Sequence, residues 1–182
     1  MTRAAILFVA LALLAWLSGW VADLVTPRPV AEKPPRHVPD FYLTGVEGWS
    51  MDDQGRLQHH LTAERILHYG DDGSVELERP RFFIHDGQQT RWEIRGEAGH
   101  SDAAGELVRL QGEVHMERTS GKSAALYTRD LLFRPRQSYV ETDAAVHFVE
   151  AAGEVHATGL RGYLGEAGRL ELLSEVRGTY EP

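Results

Sequence analysis

Residues 108–117 read VRLQGEVHME. Val108, Leu110, Gly112, Val114 and Met116 fall on one side of an extended chain, and Arg109, Gln111, Glu113, His115 and Glu117 on the other. That period of two is the mark of a strand with one face buried. The alternation returns in VETDAAVHFVE, residues 140–150, where Val140, Thr142, Ala144, Val146 and Phe148 share the inward side. Neither apolar face carries a group able to do chemistry, so the question is whether that face is only a core or also the working surface.

Around these stretches, short alternating segments are punctuated by turn chemistry at Asp53-Gln54-Gly55, Asp71-Asp72-Gly73, His85-Asp86-Gly87, Ala104-Gly105, Ser120-Gly121 and Gly165–Gly168. No helical period appears between Phe41 and Tyr180, and the segment reads as all-β. A weak repeat runs through it. Ala63, Gly96, Thr128 and Gly159 recur at 33, 32 and 31 residues, and Phe82, Val114, Val146 and Val176 at 32, 32 and 30. Such a period predicts stacked hairpin-like layers. Gly96, Gly112, Gly159 and Gly178 lie on the inward faces, where glycine marks a bend or a close backbone approach.

The chain has 182 residues and no cysteine, so disulfides, thiolate metal sites and a cysteine nucleophile are excluded. Residues 40–182 carry 15 basic and 25 acidic residues, a balance that argues against a nucleic-acid partner. Residues 4–22 hold no charge over 19 positions, roughly 29 Å of helix, and the expectation is an uncleaved transmembrane anchor over residues 4–25 behind a cytoplasmic residue 1–3 stub. Residues 26–39 contain five of the eight prolines and read as an extended linker. The basic residues flanking the anchor do not by themselves favour export of the β-domain, residues 40–182.

Enzymatic motifs are missing. TSGKS at 119–123 resembles the end of a phosphate-binding loop, but the position that must be glycine is Met116. No nucleophile elbow or H-E-x-x-H helix occurs. His115, His147 and His156 share the polar parity of their strands, and strand-surface histidines are commoner than metal sites, so no metal, cofactor or catalytic residue is expected.

Several features taken in order carry a resemblance to a known family: the turn Asp53-Gln54-Gly55, Leu61-Thr62-Ala63-Glu64 followed by Tyr69, the Asp71-Asp72-Gly73 turn, Pro80 before an apolar strand, Trp92-Glu93-Ile94, the Leu-x-Gly-x-Val pattern ending at Val114, and the terminal EVRGTYEP. With the single anchor and short spacer, the chain resembles the LptC family of lipopolysaccharide export proteins over nearly its whole length. The resemblance implies a β-jellyroll of two facing antiparallel sheets, tethered to the inner membrane with its domain in the periplasm. It implies as partners lipopolysaccharide, a two-permease ABC exporter of the inner membrane at the amino-terminal edge, and a periplasmic bridge jellyroll at the carboxyl-terminal edge. It places the lipid near Val46, Leu77, Leu170 and Tyr180. The inward positions Leu61, Ile94, Leu110, Val114, Val146 and Phe148 complete the expected lipid-contacting set, and Leu172, Val176 and Gly178 are the expected partner edge. The rival reading is an anchored periplasmic scaffold or saccharide-binding module with an ordinary packed core.

Overall fold

The computed structural model describes residues 37–86, 89–164 and 168–180. The expected anchor and most of the expected linker lie outside the described residues. Among those described, no helix is long and apolar enough to cross a membrane.

Among the described residues eleven strands follow one another: β1 (Pro39–Met51), β2 (Leu57–Tyr69), β3 (Val75–Glu78), β4 (Arg81–Asp86), β5 (Gln89–Arg95), β6 (Ala98–Ser101), β7 (Val108–Arg118), β8 (Ala124–Arg134), β9 (Tyr139–Glu150), β10 (Gly153–Tyr163) and β11 (Arg169–Tyr180). Each is paired antiparallel to its neighbours, as the alternating sequence predicts. Four of the six expected turns hold glycines in the left-handed region, with φ of 74° at Gly55, 73° at Gly73, 65° at Gly105 and 83° at Gly121, and the turns expected at Gly87 and Gly165 lie outside the described residues.

What makes two layers of these strands is that the long ones serve both. β2 offers residues 59–62 to β4 and residues 65–68 to β3. β7 likewise offers 115–118 to β5 and 108–111 to β6. Between β2 and β7 the ladder therefore divides, β4–β5 going to the first sheet and β3–β6 to the second. The same dividing line continues as ladder irregularities between Gln111 and Val114, Tyr127 and Leu132, and Thr158 and Leu160. The result is two facing sheets joined along a crease that nearly every long strand crosses once.

The crease explains the sequence repeat. Ala63, Pro80, Gly96, Gly112, Thr128, Ala144, Gly159 and Glu175 stand on or beside it, at intervals of 17, 16, 16, 16, 16, 15 and 16 residues. The series Ala63, Gly96, Thr128, Gly159 is every second crossing. Crossing requires a backbone that leaves the pleat: φ is +90° at Gly112 and +82° at Gly159, conformations an L side chain seldom adopts. It also resets parity. In β8 the buried run Ala124, Leu126, Thr128 is followed by Leu131 and Phe133. A rule of even-numbered residues inward therefore serves β9, where Val140, Thr142 and Val146 are buried, and fails across the bulge of β8.

The core lies between the sheets. Phe82, Ile84, Trp92, Ile94, Met116 and Leu126 come from the first, and Leu77, Leu110, Leu131, Phe133, Val140 and Leu160 from the second. Phe82 and Phe133 meet across the gap edge to face, with centroids 5.3 Å apart. Removing a fully buried ring of this kind costs about 3–5 kcal/mol.

A Cβ added at Gly159 would lie 2.9 Å from Leu173 Cδ1 on β11, on top of the unfavourable φ. Gly159→Val should therefore destabilise the domain by about 2 kcal/mol or more, read as a lower urea midpoint. Gly121→Ala, in a turn with open space around it, should cost no more than about 1–2 kcal/mol for its left-handed φ.

Candidate functional site

The positions singled out by sequence fall into a sealed middle and two open ends. Ile94 and Leu110 have no exposed surface, and Leu77, Val114 and Val146 are buried beside them. Val46, Leu61, Phe148 and Leu170 are half-buried, and Tyr180 is 73% exposed. The half-buried ones are the outermost members of the same inner faces: Leu61, Phe148, Leu170 and Leu172 pack against the core from its margins.

At the amino-terminal end, β1 pairs with β2 alone, and its other backbone edge is unpaired in the strand order. Register places Phe41 opposite His68, Leu43 opposite Ile66 and Val46 opposite Ala63. Ile66 in turn faces Leu77 of the core, so these β1 residues share the inner face. Phe41 is nevertheless 48% and Leu43 50% exposed, because the inner face of β1 extends past the middle of the sandwich. Phe41 stacks on the His68 imidazole at 4.5 Å, and His68 Nδ1 bonds the Asp40 carboxylate at 2.7 Å, which holds the Asp40 acid below its usual range.

At the other end, β11 pairs with β10 alone. Leu172 sits opposite the buried Leu160 and Leu170 opposite Gly162, while Phe148, Val155 and Gly178 line up across β9, β10 and β11. Leu170, Leu172, Phe148 and Val155 are half-buried, and Val176 is 53% exposed. Val176 also lacks a registered partner in β10, because β11 is irregular between Ser174 and Arg177, where Glu175 takes φ of +51°. The three positions expected to form a partner edge, Leu172, Val176 and Gly178, thus share an edge strand whose far side is open.

Phe41, Leu43, Ile66 and Val155 belong to these ends and escape sequence reading. The signal is present in FYLTGVEGW as Phe41 and Leu43, but Gly45, at φ +61°, is β1's crossing of the crease and hands the inward side to Val46. A strict period of two breaks at that glycine.

The outer face of the first sheet is aromatic and polar. His115, Tyr127, His147 and His156 stack in turn across β7, β8, β9 and β10, with centroids 4.6, 5.8 and 4.2 Å apart. His147 Nε2 is 2.9 Å from Glu154 Oε2, and His147, Glu154 and His156 bring three potential ligand atoms within 4.8 Å of one another. His37, Asp71 and Asp72 make a second such group, and both lie among exposed polar side chains. What the two ends offer instead is apolar surface and unpaired backbone groups, the equipment for binding an alkyl chain and a strand.

A family model described as "Lipopolysaccharide-assembly, LptC-related" matches residues 7–181. A search of the curated proteins finds no match. Among solved structures, the fold is similar to the crystal structure of LptH, described as the LptA homologous periplasmic component of the conserved lipopolysaccharide transport device from Pseudomonas aeruginosa. The two superpose with a TM-score of 0.53 at 10% identity, covering 68% of this chain and 95% of that one. At that identity the likeness speaks for the fold alone.

One buried titratable group lies near the margin of the packed region. His59 is 5% exposed, edge-on to Phe133 with centroids 6.0 Å apart, and its Nε2 is 3.5 Å from Ser138 Oγ in the link between β8 and β9. Burial first, and the neighbouring His85 second, push its pKa from 6.5 to about 4. A depressed imidazole pKa means that the folded state binds fewer protons than the unfolded one. Stability is therefore lost as pH falls from about 6.5 towards 4, by about 3 kcal/mol in full. In urea unfolding at pH 7 and pH 4, His59→Leu should lose correspondingly less between the two than the unmodified chain.

Proposed function

The chain belongs to the LptC-related family of lipopolysaccharide-assembly proteins, and on that premise we propose that its sandwich is a non-enzymatic carrier that takes lipopolysaccharide acyl chains at its open apolar ends. The observation that carries this reading is the contrast between a sealed middle and inner faces left uncovered at β1 and β11. Residues 4–25 anchor the chain in the inner membrane, residues 26–39 hold the domain off the bilayer, and residues 40–182 work in the periplasm. Lipid arrives from a two-permease ABC exporter at the β1 edge. It leaves to a periplasmic bridge jellyroll at the β11 edge, driven by ATP hydrolysed elsewhere.

Energetics give the apolar ends their purpose. Moving an alkyl chain through water costs about 0.8 kcal/mol per methylene, on the order of 10 kcal/mol for a dozen carbons. Phe41, Leu43, Val46 and Leu61 at one end, and Phe148, Val155, Leu170 and Leu172 at the other, offset that cost where the chain enters and leaves. Between them, Leu110, Leu126, Leu131 and Leu160 leave no exposed surface, so passage needs the sheets to part opposite the crease. That packed middle is also what the rival reading, a scaffold with an ordinary core, requires. The uncovered ends are what it does not require.

Edge strands supply the handover. An unpaired strand edge accepts a partner strand, and main-chain bonds then align one sandwich with the next. Val176→Pro should lower co-purification of the bridge jellyroll at least tenfold, while the unfolding midpoint changes little because Val176 has no registered β10 partner. Unaltered co-purification would count against the edge model. A photo-crosslinking residue at Val46 or Leu170 should capture lipopolysaccharide in cells, whereas one at Glu47 or Glu171, the outward neighbours, should not. Equal capture at inward and outward positions would remove the distinction on which the reading rests.

A further inference from the structure

A cleft of about 590 Å³ opens on the outer face of the first sheet beside the crease, between the β3–β4 link at Arg79 and Pro80, the β5–β6 link at Gly96 and Glu97, and the outward side chains of β7 and β8. Four arginines line it, Arg79, Arg81, Arg95 and Arg129, against two carboxylates, Glu97 and Glu113. Arg79 is engaged by Glu64. Among the described residues, no hydrogen bond or ion pair engages Arg81, Arg95 or Arg129.

Their placement sets like charges side by side. Arg81 and Arg95 are direct cross-strand partners, and Arg95 is the partner of His115. Like charges opposite one another on a sheet repel. The chain carries a net charge of −8, yet among the described residues no carboxylate is bonded to Arg81 or Arg95. His115 adds a second unmet demand: both its ring nitrogens are buried without a hydrogen-bond partner, and the Glu117 carboxylate stands 3.7 Å from Nε2. Buried polar atoms are ordinarily satisfied.

We propose that this cleft binds a phosphorylated saccharide, its phosphoryl group held by Arg81 and Arg95 with Arg129 on the facing wall. Guanidinium groups meet phosphate oxygens through paired charge-assisted hydrogen bonds. The two glutamates would repel a bare anion but accept hydrogen bonds from sugar hydroxyls, so the mixed lining matches a ligand that is anionic at one end and hydroxylated at the other. The cleft also has room for a sugar ring, and a phosphate alone would leave most of it unfilled. It lies outside the sandwich, so the proposal does not depend on acyl chains entering between the sheets.

Calorimetric titration of the full-length protein in detergent tests it, with glucosamine 1-phosphate, inorganic phosphate and glucosamine as probes. Saturable binding of glucosamine 1-phosphate is expected, with inorganic phosphate at least tenfold weaker and glucosamine without measurable affinity. Arg81→Gln and Arg129→Gln, both at exposed positions, should each weaken binding of the sugar phosphate tenfold or more with an unchanged unfolding midpoint. No saturable binding, or variants that bind like the unmodified chain, would overturn the proposal. Inorganic phosphate binding as tightly as the sugar phosphate would overturn the saccharide assignment and leave a general anion site. Lipopolysaccharide capture by a photo-crosslinking residue at Val46 or Leu170, with the cleft arginines intact, reports separately on the carrier reading, so failure of either is distinguishable from failure of the other.

Discussion

Both walls of this sandwich are made from the same strands, and the crease at which each strand passes from one wall to the other constrains everything else. A strand that turns through the crease cannot keep an unbroken pleat. In β1, β7 and β10 a glycine makes the passage, with φ values of +61° at Gly45, +90° at Gly112 and +82° at Gly159. The crease also fixes the spacing. With turns at the rim and a crossing at the crease, successive crossings recur about every 16 residues, and a 32-residue hairpin period emerges from chain geometry alone.

The same constraint determines where the molecule is closed. In the middle of the strand order, each inner face has an opposing inner face within reach, and Leu77, Leu110 and Phe133 fill the gap against Phe82, Ile94 and Met116. The terminal strands β1 and β11 have a neighbour on one side only, so their inner residues face the opening. Apolar exposure and unpaired backbone therefore coincide at both ends, a consequence of the topology and not of unusual residues. A sandwich creased along one line and open at both ends has the geometry that the proposed function calls for, with apolar surface and a free strand edge at each end.

Much of this was legible in the amino-acid sequence. Strand class followed from the alternation of Val108 to Met116, the turns from Asp-Gly and Ser-Gly pairs, and the bends from glycines on inward faces. The family resemblance pointed to the layered architecture. What escaped was the division between a sealed middle and open ends. Leu110 and Leu170 look alike in sequence, each inward on an alternating strand. Only the strand order shows that the first lies opposite Leu131 and the second on an edge strand. The arginine cleft was hidden for a related reason: Arg81, Arg95 and His115 are far apart in the chain, and register alone brings them into one row.

The proposed function requires the two sheets to part opposite the crease to admit lipid. Nitroxide labels on Gln54→Cys and Ala104→Cys, at rim turns of the first and second sheets, would report that gap by pulsed electron paramagnetic resonance. Parting of the sheets should lengthen the distance distribution when lipopolysaccharide is added to the full-length protein. A distribution unchanged with lipid demonstrably bound would contradict it.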